Sequence, residues 1–147
     1  MAAGNPDQAL LHALVRAPLV RVPVDTNPVA LDLSTQLQAW DRDAGVLQLG
    51  FTTAERHVQG NNAVHGGVVT TMLDFGLAFV VLAQLEPPRV AVTAALNVHF
   101  ERGVQPGPVV VRARADRLGT RLAFASAELQ DATGRVLARA TATLAIV

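Results

Sequence analysis

Cysteine, lysine and tyrosine are absent from this 147-residue chain. Without cysteine there is no disulfide, no thiolate zinc site and no cysteine nucleophile. The missing lysine leaves all twelve basic residues as arginine, matched by twelve acidic ones. A balanced charge lacks the surplus of base that neutralising a phosphate backbone needs, so a nucleic-acid partner is not expected. Five Phe, one Trp and no Tyr leave few platforms for stacking bases. The lysine gap itself, beside the excess of Ala and Val, is read as coding bias. Charged residues make up 16% of the chain, against about 25% in an average globular protein. Half of the residues are apolar. That imbalance points to surface buried beyond the core of one chain.

The length fits one domain. A domain of about 150 residues buries roughly 68–70% of its unfolded surface and needs no staple. The opening Met1-Ala-Ala-Gly-Asn-Pro-Asp7 lacks the positive region of a secretory signal. With cysteine absent as well, a cytoplasmic location is expected. Gly66 to Leu85 has the length of a bilayer span, but Asp74 sits inside it. An aspartate near a span's centre costs about 2.5–3.5 kcal/mol. Gly66, Gly67, Gly76, Thr70 and Thr71 weaken the span further, and Glu86-Pro87-Pro88 ends it. The segment is therefore read as a helix buried on most sides in a soluble oligomer, with no membrane partner.

Residues 1–28, punctuated by Pro6, Pro18, Pro23 and Pro28, are expected to form an N-terminal extension with a short helix over Ala9 to Arg16. Residues 29–147 are expected to form the single domain. Val29 to Trp40 mixes periods, and its alternation favours a strand or an irregular edge. Asp41 to Gly45 is a turn and Val46 to Thr53 a strand. A polar loop over Glu55 to Val64 leads into the long helix from His65. After Pro88 the pattern is period two: strands over Val90–Glu101, Val109–Arg117, Arg121–Gln130 and Arg135–Val147. The expected order is one strand, one helix, then four strands in an antiparallel meander. Strands segregated from one dominant helix mean an α+β fold, with five or six strands wrapped around the helix.

Two features carry chemistry. Gly66 and Gly67 open the helix, where each costs helix propensity. A helix N-terminus has unpaired N–H groups and partial positive charge, and glycine lets a ligand oxygen approach. One reading is an oxyanion site at the Gly66 N–H; the other is a tight turn or close helix–sheet packing. The second feature is Asp74, a lone carboxylate among Met72, Leu73, Phe75 and Leu77. A carboxylate there needs partners or a task. Asp74 lies nine residues after His65, about 13 Å along an ideal helix. Within one chain it cannot meet the helix start. Two such helices, antiparallel about a twofold axis, would bring Asp74 of one chain to Gly66 of the other, in an isologous dimer. Phe75, Leu77 and Phe79 are candidates for an apolar lining. Gly76 and Ala78 are small enough to admit an aryl ring or a longer chain. No histidine has metal-ligand spacing, so no metal is expected.

His65-Gly66-Gly67 with Asp74 nine residues after the His, followed by Val92-Thr93-Ala-Ala-Leu-Asn97-Val98-His-Phe100, Gly119-Thr-Arg-Leu-Ala-Phe124 and Gly134-Arg-Val-Leu-Ala138, resembles the hotdog-fold acyl-CoA thioesterases of the phenylacetate-pathway (PaaI-like) group. The likeness covers residues 45–147. It implies a hotdog fold, with a long central helix wrapped by an antiparallel sheet, in homodimers often paired into homotetramers. It implies an acyl-CoA substrate, with coenzyme A as part of that substrate and no cofactor. By position, Asp74 is then the catalytic carboxylate, as nucleophile or general base, and the Gly66 N–H polarises the thioester carbonyl. His65 positions the thioester or supports the helix start. Gln59, where the family usually has Asn and sometimes Gln, orients water, with Asn62 as the alternative after a loop shift. Thr93 assists and Asn97 anchors. Gly67, Phe75 and Ala78 line the substrate, and Arg121 ranks first, ahead of Arg56, Arg102 and Arg117, for the CoA phosphates. Two alternatives remain on the same fold: a non-catalytic acyl-CoA or acyl-carrier binding protein, and a dehydratase or hydratase.

Overall fold

The computed structural model describes residues 4–14, 16 and 21–147. Pro18 and Met1 to Ala3, which entered the reading of the N-terminus, lie outside them. The long helix α3 (Gly66–Leu82) packs on one face of an antiparallel sheet. The strands are β1 (Val22–Pro23), β2 (Gln36–Asp41), β3 (Val46–Thr53), β4 (Ala91–Phe100), β5 (Gly107–Leu118), β6 (Leu122–Gln130) and β7 (Val136–Ile146). Helices α1 (Pro6–Leu14) and α2 (Pro28–Asp32) precede them.

The α+β hotdog architecture agrees with the sequence reading, but the sheet has seven strands in the order β1-β2-β3-β5-β6-β7-β4. Two expectations change. Val29 to Asp32 is not strand. Asn27 caps a short helix, its Oδ1 accepting from the Ala30 N–H at 2.8 Å, with Pro28 in the first turn. Nor are the last four strands one meander. β5, β6 and β7 are consecutive, but β4 pairs with β7, and β3 pairs with β5. Period-two alternation marks a strand without naming its partner.

Val111 and Ala113 of β5 face α3, and the contact is close because residue 76 is glycine. A Cβ there would lie 2.5 Å from Val111 Cγ1 and 3.3 Å from Ala113 Cβ. Gly76 therefore serves helix–sheet packing and does not line an open pocket. Met72, Leu73, Leu77, Val80 and Leu144 complete this fully buried layer. Alternation puts Arg112, Arg114, Glu128 and Arg139 on the outer face, where Arg139 pairs with both Glu128 and Glu101. Helix α1 joins the core through buried Leu11, while Gln8 Nε2 donates to the carbonyls of Leu85 and Arg89. Among the described residues, no helix is long and apolar enough to cross a membrane.

Candidate active site

The start of α3 holds its N–H groups in an unequal way. His65 is the N-cap residue, and its own N–H donates to the His57 carbonyl at 2.8 Å. The Gly67 N–H donates to His65 Nδ1 at 2.8 Å. The N–H groups of Val68 and Val69 both donate to the His65 carbonyl, at 2.9 and 3.1 Å. Among the described residues, the Gly66 N–H has no partner. Its direction follows from the peptide plane. In a trans peptide the N–H points opposite to the preceding C=O. The His65 carbonyl points into the helix, so the Gly66 N–H points out of its end.

The two glycines have separate local reasons. A Cβ on Gly67 would meet His65 Nδ1 at 3.0 Å, so the His65 ring folds over this position. A Cβ on Gly66 would meet the Phe100 ring at 3.3 Å. Both readings of the glycine pair therefore hold in part: residue 67 serves the cap, and residue 66 carries a free donor.

Asp74 lies eight residues after Gly66, about 12 Å along the helix at 1.5 Å per residue. Its Oδ1 accepts from Thr93 Oγ1 of β4 at 2.7 Å. Among the described residues its Oδ2 has no partner. Asp74 is half-buried, and Gly67, Thr71, Asp74 and Ala78 recur at helical spacing along the side of α3 that the core does not cover. Phe75, next along the chain, stands edge-on to Phe79 at 5.5 Å between ring centres and 6.2 Å from Phe51.

The fold thus joins Asp74 with Thr93, and places Gly66, Gly67 and His65 together at the start of the same helix. Gln59 and Asn62 are exposed in the loop before the helix. That loop closes on itself, with the Gln59 N–H donating to the Ala63 carbonyl and the Asn62 N–H to the Gln59 carbonyl. Asn62 takes the left-handed conformation (φ 58°), which asparagine tolerates. Asn97 is on the outer face, opposite Thr141 in the row of Arg114, and one chain does not bring it to Asp74. Arg121 is exposed in the β5–β6 turn, and its carbonyl accepts from the Ile146 N–H. Because Ile146 pairs with Ala91, Arg121 sits two strand spacings, about 10 Å, from Ala91, at the Thr93 end of the sheet. Arg56 does not share that position: its guanidinium donates to Asp32 Oδ1 at 2.8 Å and to the Asp32 carbonyl at 2.7 Å.

Sequence reasoning missed His57 and Asp32. His57 is buried, and its Nδ1 accepts from the Ala54 N–H at 2.9 Å. The proton is therefore on Nε2, which donates to Asp32 Oδ2 at 2.8 Å. Hydrogen bonds from His57 and then Arg56 hold the Asp32 carboxyl below its usual range. A pair 25 residues apart leaves no mark on local pattern. Two recesses, about 600 and 430 Å³, open on the outer face. Neither is lined by Asp74 or Gly66, which lie on the helix side of the sheet.

Comparison with known proteins identifies the family. Residues 61–138 match the Thioesterase superfamily. A solved structure of the "putative thioesterase, phenylacetic acid degradation-related protein" from Ralstonia eutropha JMP134 is 30% identical, with a TM-score of 0.81 over 96% of this chain and 99% of that one. The "putative esterase PA0474" of Pseudomonas aeruginosa is 37% identical over 78 residues, spanning 52% of this chain and 58% of that protein. The structure of BH2602 from Bacillus halodurans, solved with CoA, shares the fold at 22% identity and a TM-score of 0.66, over 68% of this chain and 66% of that one. With the free N–H at Gly66, the Thr93-bonded carboxylate at Asp74 and these matches together, the chain belongs to the thioesterase superfamily, as a hotdog protein of the PaaI-like type.

Proposed function

We propose that the protein hydrolyses the thioester of an acyl-CoA, with a small aryl or medium-chain acyl group, to the free acid and coenzyme A. The observation that carries this reading is a helix N-terminal donor at Gly66, without a partner among the described residues, and a Thr-bonded carboxylate at Asp74 on the same helix. A thioester oxygen gains negative charge as its carbon is attacked, and a preorganised donor there is worth about 2.7–4 kcal/mol. The Gly66 N–H fits that task. Thr93 holds one oxygen of Asp74 and leaves the other to attack the carbonyl or to take a proton from water. Proton and electron counts close either way: water supplies the oxygen of the acid, and the thiolate leaves with the proton. The CoA in the Bacillus halodurans structure and the exposed Arg121 near Thr93 favour an acyl-CoA as the substrate.

The site is completed by a second copy. β4 pairs with β7 on one side and is the last strand of the sheet. Its ten residues, Ala91–Phe100, carry no proline, lysine or carboxylate to block edge pairing. Val92 and Phe100 on it are 54% and 56% exposed. The strand runs antiparallel to α3, with Thr93 bonded to Asp74 and Phe100 beside Gly66. Ala94 bulges out of the β4–β7 register. Counted past that bulge, a twofold axis at Asn97 sets Leu96 against the partner's Val98 and Thr93 against the partner's Phe100. Asp74 then faces the partner's Gly66. Exposed Leu122 and Phe124 on the outer face favour further pairing of dimers into a tetramer.

The test is thiol release from a panel of acyl-CoAs. Saturable hydrolysis by the wild type, lowered about 10²–10⁴-fold in Asp74→Asn, is expected. Tight binding without turnover would favour a non-catalytic binding protein, and an Asp74→Asn variant as active as wild type would remove Asp74 from the chemistry.

A further inference from the structure

The geometry points to His57 and Asp32 as positioning residues for the Gly66 donor; this rests on the oxyanion role given to that donor above. The chain of contacts is short. The imidazole is fixed at both nitrogens, by the Ala54 N–H at 2.9 Å and by Asp32 at 2.8 Å. Both bonds belong to the three-residue helical turn Glu55–His57 and to the end of α2, so they lock that turn onto the domain. The His57 N–H also donates to the Ala54 carbonyl at 2.9 Å. The orientation of the residue therefore has little freedom, and its carbonyl is aimed at the His65 N–H, 2.8 Å away.

His65 is the residue before the free donor. Its N–H is held by His57, and its carbonyl by Val68 and Val69. The two peptide planes that flank His65 are thereby fixed from both sides, and the second of them carries the Gly66 N–H. Release the first, and only the helix itself orients the donor. The loop between has other ties, the Gln59 N–H to the Ala63 carbonyl at 2.8 Å and the Val64 N–H to the Val104 carbonyl at 2.7 Å, but both bond the plane between Ala63 and Val64 and not the plane before His65. The Asp32 carboxylate is shared with Arg56, which adds two bonds at the solvent side. The cluster is built to hold one backbone carbonyl.

Misplacing a reacting group by about 1 Å can cost 10²-fold in rate. Three variants test the assignment: His57→Ala, which loses both ring bonds; His57→Asn, whose side-chain oxygen can replace Nδ1 as the acceptor for Ala54; and Asp32→Ala, at an exposed side chain whose loss the fold tolerates. The first is expected to lower kcat about 10–100-fold with KM within about threefold of wild type. His57→Asn is expected to recover most of that loss, and Asp32→Ala to fall between. The amide cross-peak of Gly66 in a nitrogen–proton correlation spectrum is expected to move in His57→Ala and return in His57→Asn, while that of Gly134 stays in place. A kcat within twofold of wild type in Asp32→Ala and His57→Ala, or a KM that rises as kcat falls, would overturn the assignment. Where His57→Ala fails to fold, Asp32→Ala decides: a kcat within twofold of wild type and an unmoved Gly66 cross-peak overturn the assignment. Where the wild type hydrolyses no acyl-CoA, the proposed activity fails, and the Gly66 cross-peak still decides the positioning: unchanged in His57→Ala and Asp32→Ala alike, it rejects it.

Discussion

Gly66 offers a donor that the fold does not use, which makes it separable from stability. Proline is accepted at the first position of a helix because the N–H there has no intrahelical partner. His65 already has φ −57° and ψ 136°, the extended region that a residue before proline prefers. Gly66→Pro therefore deletes one N–H at little cost to the helix, the ring displacing the end of the exposed Phe100 side chain. Turnover is expected to fall about 10²–10³-fold, the loss seen when one oxyanion donor is removed, with the melting temperature close to wild type. Thiol release and a thermal melt on the same preparation check both halves. At this scale the sequence was informative where a residue breaks its local rule. Glycines at a helix start and a carboxylate in an apolar helix each ask for a reason, and Thr93 followed from family resemblance. His57 and Asp32 break no local rule. Their meeting depends on where α2 ends, and Val29 to Asp32 read as strand from its mixed periods, although Asn27-Pro28 carried the capping signal.

Helix α3 is close to the sheet because Gly76 has no side chain. In Gly76→Ala the new methyl would sit 2.5 Å from a methyl of Val111, inside a fully buried layer. Overpacking of this kind costs about 1–3 kcal/mol. A lower urea midpoint at an unchanged slope is the expected readout; a midpoint equal to wild type would mean that the layer can relax. The same closeness settles what the sequence left open about residue 76: small size here serves packing, whereas half-buried Ala78 stays on the groove side. Strand positions were legible within a few residues, since alternation is a local property. The order of strands was not, because the β4–β7 pairing joins segments some 50 residues apart, and nothing in either segment names the other.

A chain half apolar and only 16% charged leaves surface that its own core does not use. Much of it is along β4 and the neighbouring outer face, at Val92, Phe100, Leu122 and Phe124. The proposed dimer would cover part of that surface. In the proposed dimer, the register around the Ala94 bulge ties that surface to catalysis, since pairing β4 with itself at Asn97 would bring Asp74 toward the partner's Gly66. The proposed chemistry requires a site divided between two chains. Gly66→Pro and Asp74→Asn chains, co-expressed with different tags and purified as the mixed dimer, test it directly. Each variant alone is nearly inactive. The mixed dimer holds one site with both groups intact, so about half of wild-type turnover is expected. A mixed dimer no more active than its parents would place Asp74 and Gly66 in separate roles and contradict the shared site.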